Sequence, residues 1–312
     1  MKVLVVTNMY PTQDAPCGGV FIKEQVEALR EEGVKVDVLL VPGWRNKFNY
    51  IMGFFRLWGR LLTHRYDLIH AHYVFSGIIA RAQFLYPVVL THHGLETFTT
   101  WQRIPSRLII PIVDRVILVS EEQKKKLRCE EADVIPCGID FDLFKPGTKD
   151  KARAELNLPM EKKLVLWLWG SNRPEKRFDI AQAAVALARD KDPAIELIRV
   201  SDRPHELVPE FMNACDALVL VSNGEGSPMV IKEAMACNLP IVSVPVGDVP
   251  EVIKGTDGCY LCSQDPADVA EKLLMAVNRP NRTNGREKIR NMDRSVIAKR
   301  IMAVYQEVIR EK

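Results

Sequence analysis

The chain has 312 residues, of which 47% are hydrophobic, enough apolar content for two buried cores. Its formal net charge of +3 is far below the basic excess that a nucleic-acid partner calls for. Seven cysteines, an odd number set in apolar contexts, do not suggest a disulfide scaffold and suit a reducing cytoplasm.

The chain opens directly on the apolar strand MKVLVVT, with no secretory leader pattern ahead of it. No run reaches the roughly 18 to 20 apolar residues that a membrane-spanning helix requires. Short apolar runs at 3–7, 34–41, 67–71, 88–91, 115–120 and 133–136 alternate with helical patterns, which means a parallel sheet. After the turn-rich FDLFKPGTKDKA a second series follows at 163–170, 196–200, 217–222, 240–244 and 258–261. Pro146 and Gly147 mark a linker, so the expectation is two doubly wound, Rossmann-like α/β domains, 1–145 and 146–285, with the cleft between them as the default site. The last segment, 286–312, carries Ile289, Met292, Val296, Ile297, Ile301, Val304, Tyr305 and Ile309 near helical spacing and reads as a long amphipathic helix or a kinked pair.

Several motifs sit at strand ends. Gly18 and Gly19 follow the first strand and open a helix, a loop that lets phosphate approach the backbone. In 44–66 the residues Tyr50, Ile51, Phe54, Phe55, Trp58, Leu61 and Leu62 recur at helical spacing, and Arg45, Lys47, Arg56, Arg60 and Arg65 face no acid. Two readings weigh equally there: an interfacial helix on an anionic membrane, or an apolar stripe packed on the first sheet with solvated arginines. His70 and His72, then His92 and His93, end two strands without a carboxylate motif that would suit zinc. Asp140 and Asp142 mimic a DxD metal motif, but their place before the linker favours turn capping. Cys259 and Cys262 form a lone CxxC that reads as structural.

In GSNRPEKRFDIA the cations Arg173, Lys176 and Arg177 crowd a strand-to-helix turn and call for an anion. In GEGSPMVIKEAMACNLPIV, Glu225 and Glu233 bracket a helix start, with Ser227 as its cap and Pro228 at its first position. Were that segment helical throughout, the two carboxylates would stand about 12 Å apart, roughly the span between the sugars of a nucleotide sugar. The stretch Gly226, Ser227, Pro228, Met229 and Val230 would turn its N–H groups toward the diphosphate.

This last string resembles the donor-binding signature of retaining family-4 glycosyltransferases of the GT-B fold. The likeness extends in order through the glycine loop, the His93–Gly94 strand end, the PEK turn, the CGIDFDLFKP entry to the linker and VGDVPEVI. It implies that Glu225 faces the transferred sugar, Glu233 holds the ribose hydroxyls, and Gly18, Gly19, Arg173 and Lys176 meet the diphosphate. His93 would lie near the anomeric centre, and the C-terminal helix would cross back to the first domain. The implied reaction is transfer, with retention, from a UDP- or GDP-sugar to a glycan or lipid-linked acceptor in cell-surface polysaccharide or glycolipid synthesis. No cofactor or metal is implied, and the implied place is the cytoplasm or the inner face of the membrane. The chain departs from the family pattern at Ser171, where an Arg is usual, at Arg177 in place of glycine, at Cys137 in place of Asn and at Glu96 in place of Asp; the segment between Glu196 and Phe211 is also compressed. A GT-B sugar-nucleotide epimerase and a non-catalytic sugar-nucleotide-binding subunit are the competing readings.

Overall fold

The structure is a computed structural model that describes residues 1–312 except 95–99, 170–172 and 202. The chain divides into two compact units, Met1–Gly138 together with Arg294–Lys312, and Ile139–Asp293.

The first unit runs β1 (Lys2–Thr7), α1 (Val20–Glu31), β2 (Lys35–Leu40), α2 (Phe48–Thr63), β3 (Leu68–His72), α3 (Val74–Arg81), β4 (Val88–His92), α4 (Thr100–Ile109), β5 (Arg115–Leu118), α5 (Glu121–Leu127) and β6 (Asp133–Val134). Its strands form one parallel sheet in the order β2-β1-β3-β4-β5-β6. The period-two geometry of a strand explains how β1 is buried on both sides. Val3 and Val5 pack with Ile22, Val26 and Leu29 of α1, whereas Leu4 and Val6 pack with Leu57 and Leu61 of α2.

The second unit runs α6 (Lys149–Leu156), β7 (Lys163–Leu168), α7 (Phe178–Lys191), β8 (Ile195–Val200), α8 (Val208–Ala214), β9 (Ala217–Leu220), α9 (Met229–Ala236), β10 (Ile241–Ser243), α10 (Val249–Val252), β11 (Cys259–Leu261), α11 (Pro266–Val277) and α12 (Gly285–Lys288). Its sheet is also parallel, in the order β11-β10-β9-β7-β8. Helix α13 (Arg294–Arg310) belongs to the first unit, where Ile297, Ile301, Val304, Tyr305 and Val308 join the α1 side of the core.

Each sheet has a point where strand order reverses, between β1 and β3 in one unit and between β7 and β9 in the other. Open α/β sheets leave a crevice there, beyond the C-terminal strand ends, and ligands bind in it.

The structure shifts three readings of the sequence. The first break falls at Gly138 rather than 145, since Ile139 and Phe144 are buried in the second core and the Ile139 N–H donates to the Met292 carbonyl at 2.9 Å. The second falls at Asp293 rather than 285, because Ile289 and Met292 also pack into that second core. The stripe on α2 divides: Leu57 and Leu61 are buried with Tyr50 and Phe54 packed beside them, while Phe48, Ile51, Phe55 and Leu62 are exposed. Among the described residues no helix is long and apolar enough to cross a membrane.

Candidate functional site

In the second unit the loops after β7 and β9 flank the switch point, and they bring Lys176 and Glu225 together. The Lys176 ammonium donates to Glu225 Oε1 at 2.5 Å, with the two side chains 4% and 11% exposed. The ammonium also sits 3.3 Å from the centroid of the Trp169 ring, a cation–π contact strengthened by its burial. Burial holds the Lys176 pKa below the usual lysine range, and Glu225 opposes that shift. Arg173 pairs instead with Glu175, and its side chain is about half exposed, open to an arriving anion.

Arg177, standing where the family pattern has glycine, takes the left-handed conformation at φ +52°. Its guanidinium binds Asp179 at 2.8 Å and reaches Asn223 Oδ1 at 3.3 Å, which ties the β7 loop to the β9 loop. Ser171 lies outside the described residues, as does Glu96 in the first unit.

Glu233 lies within α9 and is 5% exposed; His205 Nε2 donates to its Oε1 at 3.0 Å, with the His205 ring against Phe144. The segment from Asn223 to Pro228 is irregular and α9 begins at Met229, so a helical rise does not set the spacing of Glu225 and Glu233. Pro228, not Ser227, occupies the cap position, and no side chain caps the helix. Ser227 is engaged elsewhere: its hydroxyl donates to Asp248 Oδ2 at 2.6 Å and accepts from the Lys232 ammonium. Lys232 is fully buried and lies 3.1 Å from Asp248, and a buried ammonium persists only with such partners. Gly247 packs against Gly226, where a Cβ would come within 2.4 Å of the Gly226 carbonyl oxygen. Gly226 and Ser227 are thus braced by Gly247 and Asp248, while Pro228 caps α9 and Met229 and Val230 begin it.

In the first unit Gly19 caps α1 at φ +72°, and a Cβ there would lie 2.8 Å from the Met9 carbonyl group. Only glycine fits that turn without displacement. Gly18 is less constrained, its nearest contact for a Cβ being Ala15 O at 3.3 Å. His93 follows β4, and its Nε2 stands 2.8 Å from His72 Nδ1 with the rings stacked. Phe21 and Tyr73 flank it, and Cys137 Sγ lies 3.8 Å from its Nδ1. Burial pushes His72 down to about 3 and His93 well below the usual histidine value, so the pair is neutral near pH 7. His70 is a strut, joining Tyr305 of α13 at 2.6 Å and Thr91 of β4 at 2.7 Å. Asp140 Oδ1 accepts the N–H groups of Asp142 and Leu143, a turn cap. Among the described residues no group of three or more His, Cys, Asp or Glu is placed to hold a metal.

Residues 18–143 match the family described as Glycosyltransferase Family 4, and residues 152–279 match Glycosyl transferases group 1. The chain belongs to the group 1, family-4 glycosyltransferases. The D-inositol 3-phosphate glycosyltransferase of Mycolicibacterium smegmatis is 27% identical over 69% of this chain and 60% of its own length. This chain therefore spans less than two thirds of that relative. A putative teichuronic acid biosynthesis glycosyltransferase of Bacillus subtilis, TuaC, is 24% identical over 80% of this chain and 82% of its own. Among solved structures, sucrose-phosphate synthase from Thermosynechococcus elongatus superposes with a TM-score of 0.82 at 19% identity, covering 100% of both chains. Anabaena HepE, solved in complex with UDP-glucose, superposes with a TM-score of 0.73 at 18% identity over 98% of this chain and 100% of its own. These likenesses establish the GT-B fold, two parallel-sheet Rossmann-like domains.

Reading the sequence alone misses three residues of this candidate site. Trp169 precedes a loop and shows its role only by lying under Lys176; His205 is 28 residues from its partner Glu233. Lys232 is legible only afterwards, as a lysine on the apolar side of a helix that could not be buried unpaired; its partner Asp248 lies in the VGDVPEVI turn that the sequence had already placed near the site.

Proposed function

We propose that the protein transfers a sugar from a nucleotide-diphosphate-sugar, UDP- or GDP-linked, to a glycan or lipid-linked acceptor, with retention at the anomeric carbon. The observation that carries this reading is the buried Lys176–Glu225 pair at the switch point of the second sheet. An arriving diphosphate draws on Lys176 and on the half-exposed Arg173, and Glu225 is then released to accept hydrogen bonds from the donor sugar's hydroxyls. Glu233 binds the ribose, exchanging its His205 contact for the hydroxyls. Gly226 to Val230 present backbone groups to the diphosphate, and Gly18 and Gly19 admit phosphate in the first unit.

In the chemical step the acceptor oxygen bonds to the anomeric carbon as the bond to the diphosphate oxygen breaks. The leaving diphosphate takes the electron pair and then the acceptor's proton. Positive charge placed in advance stabilises it most in the transition state. His93, held neutral, serves as a hydrogen-bonding group near the anomeric centre rather than as a proton donor. Arg173 and Lys176 supply the charge that a metal would otherwise provide, so this reading needs no metal.

Support comes from HepE, whose structure holds UDP-glucose, and from TuaC, described as acting in teichuronic acid biosynthesis. The latter favours a role in cell-surface polysaccharide or glycolipid synthesis; we place the protein at the inner face of the membrane, with residues 44–66 against anionic lipid, on the exposed apolar residues of α2. The test is a thermal-shift panel of UDP-, GDP-, ADP- and CMP-sugars on the parent, Lys176→Ala and Glu233→Ala, since a bound donor stabilises the folded state. A donor that raises the parent Tm and does so less in both variants supports the assignment; equal shifts in all three remove it.

A further inference from the structure

Trp169 follows β7 directly, and its N–H donates to the Val200 carbonyl of β8 at 3.0 Å, so its backbone continues the sheet past the last residue of the strand. Side chains alternate between faces along a strand, which puts Trp169 on the same face as Trp167, two residues earlier. Trp167 is buried and packs edge-on against Phe178 of α7, with 4.8 Å between the ring centroids. Trp169 stands further out on that face, half-buried, where the short turn Pro174–Lys176 leads into α7. The Lys176 ammonium lies over its ring.

An aromatic ring and a carboxylate hold an ammonium in different ways. A carboxylate neutralises it and accepts one of its hydrogens, whereas a ring face attracts the cation through its quadrupole and leaves the net charge whole. The charged groups acting on Lys176 are Glu225 from the β9 loop and Arg173 and Glu175 from its own turn. Arg177 and Asp179, which follow, pair with each other at 2.8 Å. Burial favours the neutral amine, and Glu225 is the largest influence opposing it. Under the sugar-transfer reading Glu225 turns to the donor's hydroxyls when the diphosphate arrives. The long, flexible lysine chain then needs another partner to keep its ammonium in place, and Trp169 supplies one that does not draw on the positive charge.

We propose that Trp169 is a positioning residue for sugar transfer: its indole face holds the Lys176 ammonium at the diphosphate, with its charge uncancelled, after Glu225 has turned to the sugar. This rests on the assignment of Lys176 to the diphosphate under the sugar-transfer reading.

The experiment is calorimetric titration of the full chain with the nucleotide sugar found in the thermal-shift panel, with Trp169 replaced in turn by tryptophans bearing successively more fluorine atoms. Fluorine drains charge from the ring face with little change of shape, so these proteins keep the parent's packing. Donor affinity is expected to fall stepwise with fluorine content. Trp169→Leu should weaken it at least about tenfold, with Trp169→Phe between Leu and the parent. A second readout is pH. The ring favours the charged form of Lys176, so on the alkaline side Trp169→Leu should lose affinity at a lower pH than the parent does. A merely structural ring would produce neither the fluorine trend nor that displacement. Flat affinity across the fluorinated series, or a Trp169→Leu protein with parent-like affinity and alkaline limb, would overturn the inference. A parent-like Lys176→Ala would remove the diphosphate role of Lys176 and this inference together, whereas a flat fluorine series beside a weakened Lys176→Ala removes the role of Trp169 alone.

Discussion

Lys176 and Glu225 hold each other inside the second unit, and removing one leaves the other charge buried alone. Glu225→Ala should therefore destabilise by about 3 to 5 kcal/mol, read as a lower Tm without ligand. Replacing both, as Lys176→Met/Glu225→Leu, should restore most of the stability while donor response stays lost, because apolar residues fill the space without requiring a counter-charge. A double variant no more stable than Glu225→Ala would show that the pair is not an isolated unit. The buried histidines give a second prediction, in pH. Above about pH 6.5 they are neutral whether the chain is folded or not. Below it the unfolded chain takes up protons that the folded His72, pushed down to about 3, does not, so stability falls as pH drops. Each such ring contributes about 1.4 kcal/mol per pH unit in that window. His72→Asn should flatten the stability–pH slope between pH 6.5 and 5 by about that amount in denaturant titrations; an unchanged slope would mean that His72 is not held neutral. At this scale the sequence singled out Glu225, Glu233 and Lys176 through the resemblance of GEGSPMVIKEAMACNLPIV and the PEK turn to family motifs, but not who pairs with whom. Trp169 under Lys176 and His205 on Glu233 are tertiary pairings with no local pattern.

The loops that place these side chains depend on backbone conformations that only some residues tolerate. Gly247, at φ +57°, lies so close to Gly226 that Gly247→Ala must push the two loops apart. It should weaken donor binding, measured by titration calorimetry, although position 247 carries no donor-binding side chain. Arg177 is the converse, a non-glycine residue held at φ +52° where a left-handed conformation costs roughly 1 to 2 kcal/mol. Arg177→Gly relieves that strain and loses mainly a surface pair with Asp179, worth little. Its Tm should equal or exceed that of the parent; a clear drop would mean that the Arg177–Asn223 link between the loops outweighs the backbone strain. Strands were the most legible elements, because β1 and β9 are buried on both faces and read as near-continuous apolar runs. Helix α2 was legible as a helix but not in its partition, since an apolar band wide enough for both a core face and a bare face has no boundary marked in its residues.

At the scale of the whole molecule the chain leaves its first unit at Gly138, builds the second, and returns with α13. Ile297, Ile301, Val304, Tyr305 and Val308 of that helix are all under 5% exposed. Each buried side chain of this kind contributes roughly 1.5 to 3 kcal/mol, so five together rival the 5 to 15 kcal/mol that a domain has in all. Deleting residues 294–312 should unfold the first unit and leave the melting transition of the second; one unchanged transition would show that α13 is dispensable. The two-domain α/β organisation was legible from the two series of strands flanking a Pro-Gly turn. The boundaries were not, since Ile139, Phe144 and Ile289 reveal only in three dimensions which core they join.

The central claim is that the loops after β7 and β9, with α9, form the donor site. Calorimetric titration of the nucleotide sugar found in the thermal-shift panel, into the parent and Glu233→Ala, tests it most directly. Losing a hydrogen-bonding carboxylate should weaken the affinity by about 10- to 150-fold. Parent-like affinity in Glu233→Ala would contradict the account.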